Sequence, residues 1–359
     1  MFLQKALLAL VAVSSAIAAP ILDKRAGPTR GVSLGGWLLL EPWITPSIFH
    51  NYGGSVVDEY GLCQQDPNKA KGVLQAHWSS WVTLGDFQRI ANSGKGINTV
   101  RIPIGYWAFQ KYGQDPYIQG AKDYLSQALD WASQTGLQVW IDLHGMPLSQ
   151  NGFDNSGQRA ASIQFGSGDT VSWMAKVAGQ VASEFGSHSA VVGIELVNEP
   201  QMASMPGGRG SLQNYYNQAY GAVRGSYGGS IVISDGFAEP SSWDGQMTDT
   251  ILDHHEYQVF SNGDVAMSYQ EHNGYGIGAR YDGTYSKPNG DTSTYVGSCA
   301  NKNFIDQWDQ GLKDATRNYI QAQINAFEQH ANGWIFWNFK TEASAEWDFF
   351  RLVDNGVWP

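Results

Sequence analysis

The chain is 359 residues long, 42% hydrophobic, 13% aromatic and 15% charged, with 42 Gly, 14 Trp and 17 Tyr. That mix excludes disordered, collagen-like, coiled-coil and membrane-bundle proteins and suits one large domain. The formal charge is −11, and without Lys5, Lys24, Arg25 and Asp23 the remainder holds 19 bases against 32 acids, so a nucleic-acid partner is not expected.

Residues 1–18 combine Lys5, the apolar run Ala6 to Val13 and the small-residue pattern Ala16-Ile17-Ala18, the form of a secretory signal peptide. Residues 19–25 end in the dibasic Lys24-Arg25, of the kind cut by kexin-like maturation proteases, so one domain is expected over 26–359. No other segment is long and apolar enough for a membrane, and the protein is expected to be secreted and monomeric. Two cysteines, Cys63 and Cys299, suit a secreted protein held by its core more than by disulfides, and whether they pair stays open.

Short β-branched or apolar runs then alternate with stretches of helical periodicity. Strands are expected at Gly31–Leu39, Ile97–Ile104, Gln138–Leu143, Val191–Val197, Ser230–Ser234, Thr250–Tyr257 and Gly333–Phe339. Helices are expected at Trp81–Ser93, Ala121–Gln134, Thr170–Phe185, Leu212–Arg224 and Phe304–His330. Such alternation calls for a parallel sheet with helical crossovers. Polar and aromatic residues gather at the C-terminal ends of the strands: Arg101, Asp142 with His144, Asn198 with Glu199, His255 with Tyr257, Trp337 with Lys340. One-sided placement of this kind predicts a (β/α)8 barrel of the TIM type, whose active site is built by the loops after the strands. A doubly wound sheet is disfavoured because Ser33-Leu34-Gly35-Gly36-Trp37 is not the GxGxxG turn of a dinucleotide fold. Seven strands can be found and an eighth cannot. Between Tyr257 and Gly333 there is a short helical pattern at Asp264–His272 and then a Gly/Tyr/Ser/Thr-rich stretch, Asn273–Ser298, with no apolar β-run.

Asn198-Glu199-Pro200, closing the run Val191 to Val197, is the sharpest local signal. An Asn beside a Glu at a strand end can hold a substrate hydroxyl while the carboxyl protonates a leaving oxygen, as glycoside cleavage requires. Its surroundings carry a wider resemblance. RGVSLGGWLLLEPW (Arg30 to Trp43), VRIPIGYW (Val100 to Trp107), WIDLHG (Trp140 to Gly145), NGFDNSG (Asn151 to Gly157), GIELVNEP (Gly193 to Pro200), HHEYQVF (His254 to Phe260), GARYDGTYS (Gly278 to Ser286) and GWIFWNFKTEASAEW (Gly333 to Trp347) resemble the fungal exo-β-1,3-glucanases of glycoside hydrolase family 5.

The resemblance implies a (β/α)8 barrel that removes glucose from the non-reducing end of β-1,3-glucan with retention, using no metal or cofactor. It makes Glu199 the acid/base and Asn198 the partner of the 2-hydroxyl. Arg101 becomes the buried arginine near the nucleophile, and His144, His255 and Tyr257 line the glucose subsite. Trp337 becomes the platform under the sugar ring, Glu41 an acid on the sugar hydroxyls, and Phe153 with Phe260 a clamp on the next glucose.

The sequence departs from that family in one place. The nucleophile belongs to a Gly-Glu-Trp-Ser string at the end of strand seven, and here His272-Asn273-Gly274 runs almost directly into Gly278-Ala279-Arg280 with no such string. The expectation is therefore a barrel lacking strand seven and its nucleophile, through a gene-model fault or a real deletion. The same loss leaves Cys299 without its family partner. Glu342 and Glu271 are the acids best placed to stand in, Glu342 with a structural or substrate-positioning role by default. The alternative to a hydrolase is a non-catalytic β-glucan-binding protein of the same fold.

Overall fold

The computed structural model describes residues 27–52, 55–257 and 303–359. Seven strands among these residues form one parallel sheet: β1 (Thr29–Ser33), β2 (Thr99–Gly105), β3 (Gln138–Gly145), β4 (Val191–Glu195), β5 (Ser230–Ser234), β6 (Ile251–Asp253) and β7 (Gly333–Phe336). Their order is β6-β5-β4-β3-β2-β1-β7, so each strand lies beside its chain neighbour and β7 returns to the free side of β1. This is the winding of a TIM-type barrel, with β6 and β7 as the two edges among the described residues. The expected helix Asp264–His272, the strandless stretch Asn273–Ser298, and Phe260, Glu271 and Cys299 lie outside the described residues.

The helices are α1 (Pro46–His50), α2 (Glu59–Gln65), α3 (Pro67–Trp81), α4 (Leu84–Ala91), α5 (Ala121–Thr135), α6 (Thr170–Phe185), α7 (Gly208–Arg224), α8 (Gln310–His330) and α9 (Phe349–Asp354). Asp58, Asp66, Thr83, Asp309 and Asp348 each accept a backbone N–H at a helix start. At α4, Thr83 and Asp86 cap each other's backbone reciprocally, closing two donors the helix cannot satisfy itself. No described helix is long and apolar enough to cross a membrane. Cys63 is a buried free thiol among the described residues, and Cys299, with which it could pair, lies outside them.

Several strands stop earlier than the apolar runs suggest. β1 was expected through Leu39 but ends at Ser33; Leu34 to Leu40 stay buried as a loop that turns at Gly36, whose φ is +67°. Distant partners satisfy that loop: Leu34 N–H donates to the Arg101 carbonyl, Gly35 N–H to Asn338 Oδ1 and Leu40 N–H to Glu59 Oε2. A buried loop is tolerable only with such partners. β4 ends at Glu195 and not Val197, β6 at Asp253 and not Tyr257, and β7 at Phe336 and not Phe339. In each case the chain leaves the ladder near the catalytic-face residues, and the segments beyond the strand ends build the barrel's C-terminal mouth.

Candidate active site

Alternate residues of a strand share a face, so the inward positions of β2, β3, β4 and β6 can be traced across the register. Arg101 pairs with Trp140, Trp140 with Gly193, and Asp142 with Glu195. Gly193 leaves the space Trp140 needs, since a Cβ there would meet the indole at 2.7 Å. Above this layer Arg101 is buried in a fan of oxygens. Its Nε and Nη2 donate to Glu195 at 2.7 and 2.9 Å, and Nη2 also reaches Asn198 Oδ1 at 2.9 Å and Asp142 Oδ2 at 3.0 Å. Burial opposes the guanidinium's charge, but Asp142 and Glu195 hold it protonated. Burial pushes the Glu195 carboxyl up while Arg101 pulls it down. Arg101 thus fixes the carboxylates of two strands and, through Asn198, the start of the loop that carries Glu199.

The His144 ring is positioned from below and from the side. Asp142 Oδ2 lies 2.5 Å from its Nδ1, and the ring stacks on Trp337 at 5.6 Å and 4°. Its Nε2 is buried and finds no hydrogen-bond partner among the described residues. Trp337 itself comes after β7, its peptide bond to Asn338 is cis, and its indole presses on Gly35, where a Cβ would sit 2.6 Å away.

Glu199 comes after β4 in the left-handed region, φ +45°, just before Pro200. A non-glycine residue in that region stores strain of about 1–3 kcal/mol and is commonest at functional sites. Its Oε1 lies 2.8 Å from His255 Nδ1, and its Oε2 accepts from Asn155 Nδ2 at 2.8 Å. The other nitrogen of His255, Nε2, lies 3.0 Å from Asp253 Oδ2. With a carboxylate on each side, the doubly protonated ring fits. Burial disfavours its charge, but Asp253 and Glu199 hold it well above the ordinary histidine range. Burial also raises Glu199, yet His255, the nearby His144 and the Asn155 bond bring it down to about 2. Asp253 is likewise brought to about 2 against burial, chiefly by His255.

A second group of acids completes the mouth. Glu41, in the loop after β1, is 3% exposed; Oε2 accepts from Trp43 Nε1 at 3.0 Å and Oε1 has no partner among the described residues. Asp154, in the loop after β3, has a buried Oδ2 with no partner among the described residues. Burial first, then the charge of Asp154, holds Glu41 well above the usual carboxylate range, and burial takes Asp154 to about 6. The charge of Glu199 adds to the rise of both. Asn198 Nδ2 is buried and unpartnered too. Tyr257 packs against His255 at 6.4 Å and Trp347 at 5.4 Å, and burial pushes its hydroxyl up to about 12. Phe153 is 43% exposed, presented to solvent and not packed inside.

The structure therefore brings together Arg101, His144, Asn198, Glu199, His255, Tyr257, Glu41 and Trp337, and leaves Phe153 exposed in the loop after β3. Glu342, weighed as a substitute nucleophile, is occupied elsewhere: its oxygens accept from Ser47 N–H at 2.8 Å and Ser47 Oγ–H at 2.5 Å at the start of α1. Sequence reasoning gave no role to Glu195, Asp253, Asp154 or Asn155. The i, i+2 spacing Asp142/His144 and Asp253/His255 was the available signal for two carboxylate-backed imidazoles. Glu195, Asp253 and His255 have ligand atoms within 4.8 Å of one another, but both Glu195 oxygens already accept from Arg101 and both His255 nitrogens face carboxylates. Guanidinium and imidazolium supply the positive charge that a metal would bring there.

Comparison with known proteins identifies the family. The model of the family described as Cellulase (glycosyl hydrolase family 5) matches residues 65–343. The chain is 40% identical over 383 residues to "Glucan 1,3-beta-glucosidase 2" of Wickerhamomyces anomalus, covering 92% of this chain and 87% of that one. It is 41% identical over 377 residues to "Probable glucan 1,3-beta-glucosidase A" of Aspergillus fumigatus strain Af293, covering 93% and 88%. An alignment of 383 positions is longer than the whole chain, and 92% of 359 residues is about 330, so about fifty positions of the first relative have no counterpart here. Among solved structures, rutinosidase from Aspergillus niger superposes with a TM-score of 0.73 at 20% identity, covering 94% of this chain and 99% of that one, a likeness of fold.

Proposed function

The chain belongs to glycosyl hydrolase family 5, and from that membership we propose that its pocket takes the non-reducing-end glucose of β-1,3-glucan and releases it by retaining hydrolysis. One observation carries the reading. Glu41 Oε1, His144 Nε2, Asp154 Oδ2 and Asn198 Nδ2 are buried polar atoms without hydrogen-bond partners among the described residues, on side chains whose electrostatics or bonds reach Glu199 or Arg101. Each unmade hydrogen bond costs about 1–3 kcal/mol, a cost that the hydroxyls of a sugar ring would relieve. The parallel His144 and Trp337 rings add an aromatic wall for the sugar's C–H face. Glu199 is the acid/base in this reading, Asn198 the partner of the 2-hydroxyl, and Phe153 an aromatic for the next sugar. Residues 1–18 and the dibasic Lys24-Arg25 support secretion to the cell wall or medium.

Retaining cleavage requires a second carboxylate about 5–5.5 Å from the first. Glu342 is bound to Ser47, and Glu271 lies outside the described residues. The unmatched positions, about fifty of them, are in keeping with a segment missing between His272 and Ala279. That favours a second reading, a glucan-binding protein that does not hydrolyse. Incubation with laminarin and with an aryl β-glucoside separates the two: glucose release abolished by Glu199→Gln supports hydrolysis, and laminarin binding without release supports the second reading. Sequencing the transcript across His272 to Ala279 tests the missing segment directly.

A further inference from the structure

We infer that Asp253 is a positioning residue that keeps His255 doubly protonated with its Nδ1–H aimed at Glu199, so that the proton Glu199 delivers to a leaving oxygen is stored on His255. The proposed function enters only as the use made of that proton. A general acid must begin with a proton, and Glu199 as it stands is an ionised carboxylate clasped by His255 and Asn155. The proton next to it is the one on His255.

Asp253 and His255 are two apart at the exit of β6 and so share a face, with Asp253 Oδ2 at 3.0 Å from Nε2 and Glu199 Oε1 at 2.8 Å from Nδ1. A neutral imidazole has one N–H and could not donate to both. The titratable and charged groups around the ring are Asp253 at the end of β6, Glu199 after β4, Glu195 on β4, Arg101 on β2 and His144 on β3; Tyr257 packs at its edge. Its neighbour His254 bonds elsewhere, to Asp235 at 2.5 Å and Glu256 at 3.0 Å. When a glycosidic oxygen approaches Glu199, the Nδ1–H bond of His255 breaks as an O–H bond forms on Glu199. That O–H bond breaks in turn as the proton passes to the leaving oxygen. His255 is left neutral, still donating Nε2–H to Asp253. Asp253 acts through His255, and without it the ring has less reason to hold the second proton.

The test is a pH titration of the imidazole nitrogens of His255 by NMR in the full chain, its Asp253→Asn variant and its Asp253→Glu variant. The wild-type ring should stay doubly protonated through neutral pH. Asp253→Asn should lower the midpoint by about 1–3 pH units, the effect of losing an opposite charge at this distance, and Asp253→Glu should recover part of it. A wild-type midpoint near the ordinary 6.5 or so, or one that Asp253→Asn leaves unmoved, overturns the inference. If Asp253→Asn does not fold, the wild-type midpoint and the Asp253→Glu shift decide. Laminarin titration calorimetry on the same samples keeps the two readings apart. Failure to bind glucan with a high His255 midpoint counts against the proposed function alone, and glucan binding with an ordinary midpoint counts against the inference alone.

Discussion

Replacing Arg101 by methionine would strip Glu195 and Asp142 of the guanidinium that bonds both, inside a barrel where neither carboxylate is exposed. Removing one partner of a buried ion pair costs about 3–5 kcal/mol, against a total stability of about 5–15 kcal/mol for a domain. The loss depends on pH. Burial already holds the folded Glu195 carboxyl above its unfolded value, and without Arg101 it rises further. A group raised in the folded state contributes stability below its unfolded pKa of about 4.3, and that contribution is lost as pH rises toward the folded value. Arg101→Met should therefore stay closest to wild type near pH 5 and fall furthest behind near pH 8. Urea unfolding monitored by tryptophan fluorescence, on wild type, Arg101→Met, Glu195→Gln and the double variant, measures this. The double variant should recover about 1–3 kcal/mol over Arg101→Met, since one uncompensated charge is gone. An Arg101→Met protein within about 1 kcal/mol of wild type at both pH values, or one hurt more at pH 5, would refute the assignment of Arg101 as the cation that neutralises these strands.

Glu342→Ala should cost about 1 kcal/mol in the same unfolding assay through its lost bonds to Ser47, and should leave laminarin binding and any glucose release as they were; abolished release would make Glu342 catalytic after all. Glu59 accepts from Leu40 N–H and Trp107 Nε1–H with no counter-ion among the described residues, and burial takes its carboxyl from 4.5 to about 7. Ionising it should cost about 3 kcal/mol as pH rises across that window, so Glu59→Gln should flatten the fall in stability there, and an unchanged pH slope would contradict this. Trp337→Ala removes the wall that parallels His144 and should weaken laminarin binding about tenfold by calorimetry, equal to about 1.4 kcal/mol; an unaltered Kd would exclude it as the sugar platform.

The parts of the fold that local sequence controls were legible in it. The α6 bounds come from an apolar period that opens at Thr170 and closes before Gly186, and the structure keeps them at Thr170–Phe185. β5 was likewise foreseen at Ser230–Ser234, an apolar run isolated by glycine on both sides. Contacts distant in sequence were not legible. Nothing near Leu34 to Leu40 says that Asn338 and Glu59 will bond its backbone, or that only Leu38 will bridge to β2, at Ile104. The helix α3 was missed because polar residues fill much of it, although Pro67 at its first turn and the Asp66 cap were the signals to use.

The site divides in the same way. His144, Asn198, Glu199, His255 and Trp337 enter the candidate site because strings of residues around them resemble a known family. The sequence reading assigns no role to Glu195 or Asp253, yet each lies on a face with a polar residue at a strand end: Glu195 opposite Asp142, and Asp253 two before His255. Period-two alternation would have found both. Asp154 and Asn155 sit in a single 3-10 turn, Asp154–Ser156, too short for any periodicity to report that Asn155 turns toward Glu199.

The most direct test of the account is glucose release from laminarin by the purified chain, measured beside Glu199→Gln with binding measured in both. The account predicts that both proteins bind laminarin and that release of glucose from the non-reducing end is lost in the variant. Laminarin bound by wild type with no glucose released would contradict it.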